Sequence, residues 1–454
     1  MANLIETISE PVELALPLAP PTRVRYGVLA FLCSLGMVLY LDRLCIGTAK
    51  LNMEKQLGFS EEWWSYIFAS FTIAYGIFEI PTGHWGDRFG SRGVLTRIVL
   101  WWSAFTALTG ACTGLYMLLA VRFLFGAGEA GAMPNIARVL ARWFPLAARG
   151  RAQSIFITST QLGGVVAAPV TFYTMEVVGW RLTFFLFGLV GCAWAAAFYW
   201  WFRDDPARHP DVNDAERQYI SSNSSYADVD GSIPWRQVFR SANVWLLGGS
   251  MTCSAFVSYM YMFWYPSYLT KGRGLSEEYA SWMTSLVMLG GAVGCLFGGY
   301  FADWLISRTG NARACYRAIG VSMPLIAAVL TFISLRSDNN VTCVLLPLSL
   351  FFLFSQLASW WAVSTEISRP HVGAMIGLMN SMGIGGASAS QLLPGHWVDW
   401  LEAQGYTGRA AWDPMLYAYV VVLVFCGLLW WAVDCDRPVF DAAAEPPEAE
   451  PAVG

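Results

Sequence analysis

The chain has 454 residues, enough for about three soluble domains by length, yet only 13% of them are charged while 56% are hydrophobic, and mean hydropathy is +0.46. A globular protein carries about 25% charge, so the composition excludes a set of water-soluble domains and points to a bilayer. The formal net charge of −4 provides no basic excess for neutralising phosphates, which excludes a nucleic-acid partner.

Residues 1–25 are acidic and proline-bearing and lack the basic start and small-residue cleavage site of a signal peptide, so they are expected to remain as a cytosolic tail. A bilayer crossing takes about 20 mainly apolar residues. Twelve windows supply them: 26–49, 64–83, 94–112, 114–136, 153–175, 182–202, 243–266, 280–302, 318–335, 341–363, 372–395 and 414–433. None alternates as a barrel strand does. The fold class is therefore all-α, a polytopic membrane protein with 12 transmembrane helices. A polar stretch at 203–242, whose Asn213-Asp-Ala-Glu-Arg-Gln run predicts a short amphipathic helix, divides it into six-helix bundles at 26–202 and 243–433. The Pro-, Ala- and Glu-rich tail at 434–454 is expected to be disordered.

Cytoplasmic loops retain Lys and Arg. Nineteen of the 28 fall on the side that carries both termini and the linker, seven fall on the other side, and Arg43 and Arg122 lie inside spans. Both termini are thus expected in the cytoplasm. The ten cysteines form no C-x-x-C pair and read as small buried hydrophobes. His84, His209, His371 and His396 have no metal-ligand spacing, so no cofactor is expected. Gly126-Ala-Gly128-Glu-Ala-Gly131 matches a dinucleotide fingerprint but follows no strand, and no phosphate-binding Gly-x-x-x-x-Gly-Lys loop is present.

An internal repeat links the halves. Gly83-His-Trp-Gly-Asp87-Arg88-Phe-Gly90-Ser-Arg92 follows the second span, and Gly299-Tyr-Phe-Ala-Asp303-Trp-Leu-Ile-Ser-Arg308-Thr-Gly310 follows the eighth, with the aspartates 216 residues apart. Glycines allow close helix approach, and Gly83, Asp87, Arg88, Gly90, Arg92, Asp303 and Arg308 are expected to form a conformational latch of clustered charge.

Buried ionisable groups are the sharpest functional signal, because a mid-membrane charge costs on the order of 3 kcal/mol or more. Asp42, Arg43, Glu79, Arg122 and Glu129 all belong to the first half, and the interiors of the six later spans have none. Asp42 and Arg43 point about 100° apart on a helix, and Arg122 and Glu129 lie two turns apart, roughly 10 Å. An arginine can grip a carboxylate with a bidentate fork, and a desolvated carboxylate can take up a proton. Arg43 therefore reads as a substrate ligand, Asp42 and Glu129 as proton-coupling sites, and Arg122 as the stabiliser of whichever carboxylate is ionised. A static salt-bridge network is the alternative. Glu79 reads first as a structural charge paired with a basic loop residue, with a third titratable site as the alternative, and Glu366 reads as an inner-loop charge. Tyr40, Tyr75, Gln161, Asn380 and Ser364 are candidate partners for substrate hydroxyls, or for interhelical hydrogen bonds.

The G-x-x-x-D-R-x-G-x-R loop, its degenerate second copy and the 6 + 6 layout resemble the major facilitator superfamily. Tyr40-Leu-Asp42-Arg43, Arg122-Phe-Leu-Phe-Gly-Ala-Gly-Glu129-Ala, Arg142-Trp-Phe-Pro with Arg149-Gly-Arg151-Ala, and Arg203-Asp-Asp-Pro-x-x-His209-Pro resemble its anion:cation symporter family, which transports hexuronates, aldonates such as D-galactonate, and glucarate. The resemblance implies a non-enzymatic, monomeric inner-membrane carrier that imports a small organic anion, a sugar acid, with protons by alternating access. It implies the same roles for Asp42, Arg43, Arg122 and Glu129 and places Tyr40, Tyr75, Gln161 and Asn380 at substrate contacts. Glu79 departs from the glutamine often found there. A uniporter, exchanger or exporter of another small carboxylate or neutral solute is the alternative.

Overall fold

A computed structural model describes residues 20–221, 233–368, 371–435 and 437–440, and among these the chain is helical without strands. The tail residues 1–19 and 441–454 lie outside the described residues.

The twelve predicted windows map onto helices in order. In the first half they are α1 (Val24–Leu57), α2 (Glu61–Phe89), α3 (Ser91–Ala111), α4 (Leu115–Glu129) continued by α5 (Ala132–Trp143), and α6 (Leu146–Trp201). The 56 residues of α6 hold two spans, divided at Gly179, whose φ of +76° is a left-handed conformation that L side chains rarely adopt. A short helix α7 (Asp214–Ser221) in the linker and α8 (Trp235–Arg240) lead to the second half. There α9 (Ala242–Tyr259) runs on through π-helical turns at Met260–Trp264 and Tyr268–Gly272 that flank the single turn α10 (Tyr265–Ser267). It is followed by α11 (Glu277–Thr309), α12 (Ala312–Arg336), α13 (Asn339–Ser355) with α14 (Leu357–Ile367), α15 (Val372–Ala403) and α16 (Arg409–Ala432). Eight stretches of the described chain are long and apolar enough to cross a membrane by themselves, one of them the double-length α6. Local signals set the starts: Ser276 accepts from Tyr279 N to cap α11, and Asp338 accepts from Val341 N at 2.9 Å to cap α13.

The two described ends of the chain and the linker share one end, here the linker face; the opposite end is the far face. At the linker face α7 docks on the start of α1, where the buried Glu216 accepts from Thr22 Oγ1, Val24 N, Arg25 N and Arg25 Nη1. The segment after α16, expected to be disordered from residue 434, is instead packed over its described part. Asn243 Nδ2 donates to the carbonyls of Asp434 and Arg437, Val439 N donates to Ile367 O, and Val439 and Phe440 are buried. Two apolar side chains and a set of capped carbonyls outweigh the polar composition of the tail there.

The halves adhere through α2 against α15, the first part of α6 against α11, and α1 against the π-helical end of α9. One apolar core spans both halves, whereas the linker-face part of the second half has its own, built around Leu247, Trp360, Met379 and Trp430. Every hydrogen bond and ion pair between the two halves among the described residues lies between mid-bundle and the far face, from Gln391–Thr72 outward to Lys55–Glu277. The molecule is closed at the far face.

Candidate functional site

Three helices of the first half bring the predicted charges together. At Gly126, α4 lies so close to α2 that a Cβ would come within 2.3 Å of Phe71 O. That contact sets Arg122, one turn earlier, and Glu129, nearly a turn later, against Phe71 and the middle of α1. Asp42, Arg43, Arg122 and Glu129 are all buried, none more than 6% exposed.

Arg43 Nε donates to Glu129 Oε1 at 2.8 Å, and its Nη2 pairs with the same oxygen. The second carboxylate oxygen, Oε2, has no hydrogen-bond partner. The guanidinium lies among rings, 5.1 Å from the centroid of Tyr75, 5.4 Å from Phe71 and 5.5 Å from Tyr40. Asp42, turned away from its neighbour as the helical phase predicts, has neither oxygen hydrogen-bonded. Arg122 and the indole of Trp102 lie near it, yet Trp102 Nε1 makes no hydrogen bond among the described residues. Arg122 stacks 4.4 Å from the Phe125 centroid and 5.2 Å from Phe71, and its Nε and Nη2 make no hydrogen bond. Among the described residues the cluster holds two cations and two anions but a single hydrogen-bonded ion pair. Since buried polar groups are almost always satisfied, so many unused donors and acceptors in one place mark a site built for something other than its own stability.

The remaining predicted residues divide into two groups. Tyr40 and Tyr75 are half-buried and in contact with Arg43. Glu79, one turn along α2 from Tyr75, is within electrostatic reach of Arg43, Tyr75 and Tyr259, and among the described residues it forms no ion pair with a basic loop residue. Gln161 and Asn380 are half-buried and hydrogen-bond to none of the described side chains, and Ser364 is fully buried with an unpaired hydroxyl; none of these three is bonded to the Arg43–Glu129 pair. Glu366 is exposed and lines a cavity of about 510 Å³ with Tyr316, Trp361 and Thr365. Tyr259, reaching the cluster from the second half, was not predicted, because an aromatic inside an aromatic-rich span gives no sequence signal.

The latch residues are only partly brought together. The side chains of Gly83, Asp87 and Arg88 lie outside the described residues. Gly90 and Arg92 meet the end of α6 and the start of the linker, where Arg92 Nε donates to Tyr199 O of α6 at 2.8 Å and Asp204 Oδ1 of the linker accepts from Arg92 N at 2.9 Å. Asp303 and Arg308, expected to cluster in a loop, instead ride exposed on α11, which continues to Thr309, and form no ion pair with each other. Five helical residues set them about 140° apart, on different faces.

The Major Facilitator Superfamily profile matches residues 32–390. The fold superposes on a bacterial homologue of the human lysosomal transporter Spinster with a TM-score of 0.72, 18% identity and coverage of 90% of this chain and 96% of that one. It superposes on a D-xylose-proton symporter with a TM-score of 0.67, 16% identity and coverage of 90% and 97%. The chain is 31% identical over 365 residues to the probable sulfoacetate transporter SauU of Cupriavidus necator, covering 79% of this chain and 84% of that protein. It is 30% identical over 387 residues to the probable galactarate/D-glucarate transporter GudP of Escherichia coli, covering 80% and 84%. The chain belongs to the Major Facilitator Superfamily, in its anion:cation symporter group. It is a membrane-spanning transporter and, like these relatives, not an enzyme.

Proposed function

We propose that the chain imports a small organic anion, a sugar acid of the hexuronate, aldonate or aldarate class, together with protons, by alternating access across the inner membrane of a bacterial cell with the linker face in the cytoplasm. The observation that carries this reading is the Arg43–Glu129 pair beside the unpaired Asp42. A buried arginine held by a single carboxylate oxygen can exchange that oxygen for a substrate carboxylate once Glu129 takes a proton. Asp42 can take a second proton without breaking a hydrogen bond. Arg122, stacked on Phe125 and Phe71, supplies the positive field that each carboxylate needs when ionised. No cofactor is required, because the ion gradient supplies the work. Closure at the far face supports a state that opens toward the cytoplasm. The excess of Lys and Arg on the linker face supports the orientation.

A shorter dianion such as a sulfonated carboxylate is favoured by the SauU likeness and fits the same arginine. The test is uptake into proteoliposomes of radiolabelled glucuronate, galactonate, glucarate and sulfoacetate, with and without an inward-directed proton gradient. Gradient-driven accumulation of one of them is the expected result. Equal uptake without the gradient makes the protein a uniporter or exchanger.

A further inference from the structure

A second buried charge cluster lies at the far face, and the mechanism above does not use it. Lys50, one residue past the first predicted span, is wholly buried. Its ammonium pairs with Glu61 at the start of α2, donates to Ser267 Oγ of the other half at 3.2 Å, and lies 3.9 Å from Glu54. Three buried tryptophans surround it: Trp264 at 4.8 Å and Trp412 at 5.9 Å from the second half, and Trp64 at 5.9 Å from the first. Lys271 from the second half reaches across to Glu54 and Glu61, 2.5 Å from each. Asp399 of α15 accepts from the backbone N–H groups of Glu61 and Glu62 at the start of α2, at 3.2 and 2.8 Å. The segment that contributes Trp264, Ser267 and Lys271 is the one with π-helical turns, a geometry frequent at functional sites.

Half of the shell around Lys50 belongs to each half of the molecule. A buried ion pair is weak evidence for stability, since its desolvation cost offsets its attraction. A charge set whose shell must be split for the halves to part is, however, a means of setting how readily they part. We propose that Lys50, caged by Trp264 and Trp412 and bonded to Glu61, is the pin of a far-face gate, and that the Lys50–Glu61–Lys271–Glu54 cluster sets the balance between the far-face-closed and far-face-open states. This inference rests on the alternating-access reading. In the open state Lys50 and Glu61 remain paired on one half while Ser267, Lys271 and the two indoles leave with the other.

The test reads the gate without a substrate. Ser65, fully buried against Leu392 O and Gly395 N of the other half, is replaced in the full chain by cysteine as a reporter of far-face opening. Its labelling by a membrane-impermeant maleimide is measured in nanodiscs, with the parent protein as background. Lys50→Met should raise the labelling rate at least about threefold, well beyond any accompanying loss of thermal stability, Lys50→Arg should raise it less, and the exchange Lys50→Glu with Glu61→Lys should return it toward the reporter alone. Lys271→Met, which leaves Lys50 in place, should also raise it and serves if Lys50→Met does not fold. Labelling unmoved in every folded variant overturns the gate, as does labelling that rises only in step with lost thermal stability. Because no substrate is involved, absent uptake with responsive labelling defeats only the choice of substrate.

Discussion

The central and the far-face charge clusters of this transporter differ in one respect that separates their roles. At the far face each charge has opposite-charge partners: Lys50 and Lys271 share Glu54 and Glu61, and the indoles close the cage. In the middle of the first half, Asp42, Arg122 and one oxygen of Glu129 are left unpaired. The far cluster also spans both halves, while the four charges of the central one come from the first half alone. A set in which every charge faces an opposite charge, and which straddles an interface, opposes separation. An unsaturated set within one half has spare donors and acceptors for a ligand and for protons.

Arg43→Gln should break the comparison most severely. It leaves Glu129 buried without its hydrogen-bonding partner Arg43, a loss of about 3–5 kcal/mol when one side of a buried pair is removed, and initial uptake in proteoliposomes should fall at least about 100-fold. Retained uptake in this variant would refute Arg43 as the substrate ligand. Asp42→Asn and Glu129→Gln should abolish gradient-driven accumulation while substrate counterflow persists, since proton binding is removed and the cation is kept. If both variants still concentrate substrate, the coupling assignment fails. At the far face, Trp412→Phe keeps the cage but weakens one cation–π contact by about 0.5–1 kcal/mol. It should raise labelling of the Ser65→Cys reporter severalfold at most, less than Lys50→Met does. Glu79→Gln removes a negative charge near Arg43 and should shift preference toward dicarboxylates within roughly tenfold, the size of one modest charge interaction, as read from competition between glucarate and glucuronate.

The smallest effect concerns the linker. His209 is buried between Trp143 and Trp201, with ring centroids 5.7 and 4.9 Å away, and its Nδ1 accepts from Asp211 N. Burial, together with Arg203, outweighs the pull of Asp211 and holds its pKa below the usual histidine range. The folded chain thus binds this proton less readily than the unfolded one. The stability involved is complete above about pH 6.5 and declines as pH falls through and below it. Replacing His209 with Gln should flatten the melting temperature against pH by roughly 1–2 °C between pH 7 and 5. An unchanged slope removes His209 from the account.

Much of this molecule was legible in the sequence. Twelve apolar windows, the linker and the family motifs follow from composition and spacing, because a bilayer requires about 20 apolar residues per crossing and leaves few alternatives. The central charges were legible for the same reason: Asp42, Arg43, Arg122 and Glu129 stand out in spans that otherwise exclude charge. The far-face cluster was not legible. Lys50, Glu61 and Lys271 sit at or beyond the predicted span ends, where charge is ordinary, and only the i,i+4 spacing of Lys50 and Glu54 hinted at a pair. Asp303 and Arg308 show the converse, since a repeated motif led to an expected cluster that the continued helix α11 separates.

The sequence by itself determined that this chain lives in a membrane, how many times it crosses, and which half carries charge inside its spans, because transfer free energy is read residue by residue. Only the tertiary structure decided that Glu129 pairs with Arg43 and not with Arg122, that Tyr259 reaches the same cluster from the second half, and that Lys50 is enclosed by both halves. Those outcomes depend on which helices approach closely, as α4 does on α2 at Gly126, and the packing of distant segments is not encoded in the spacing along any one of them.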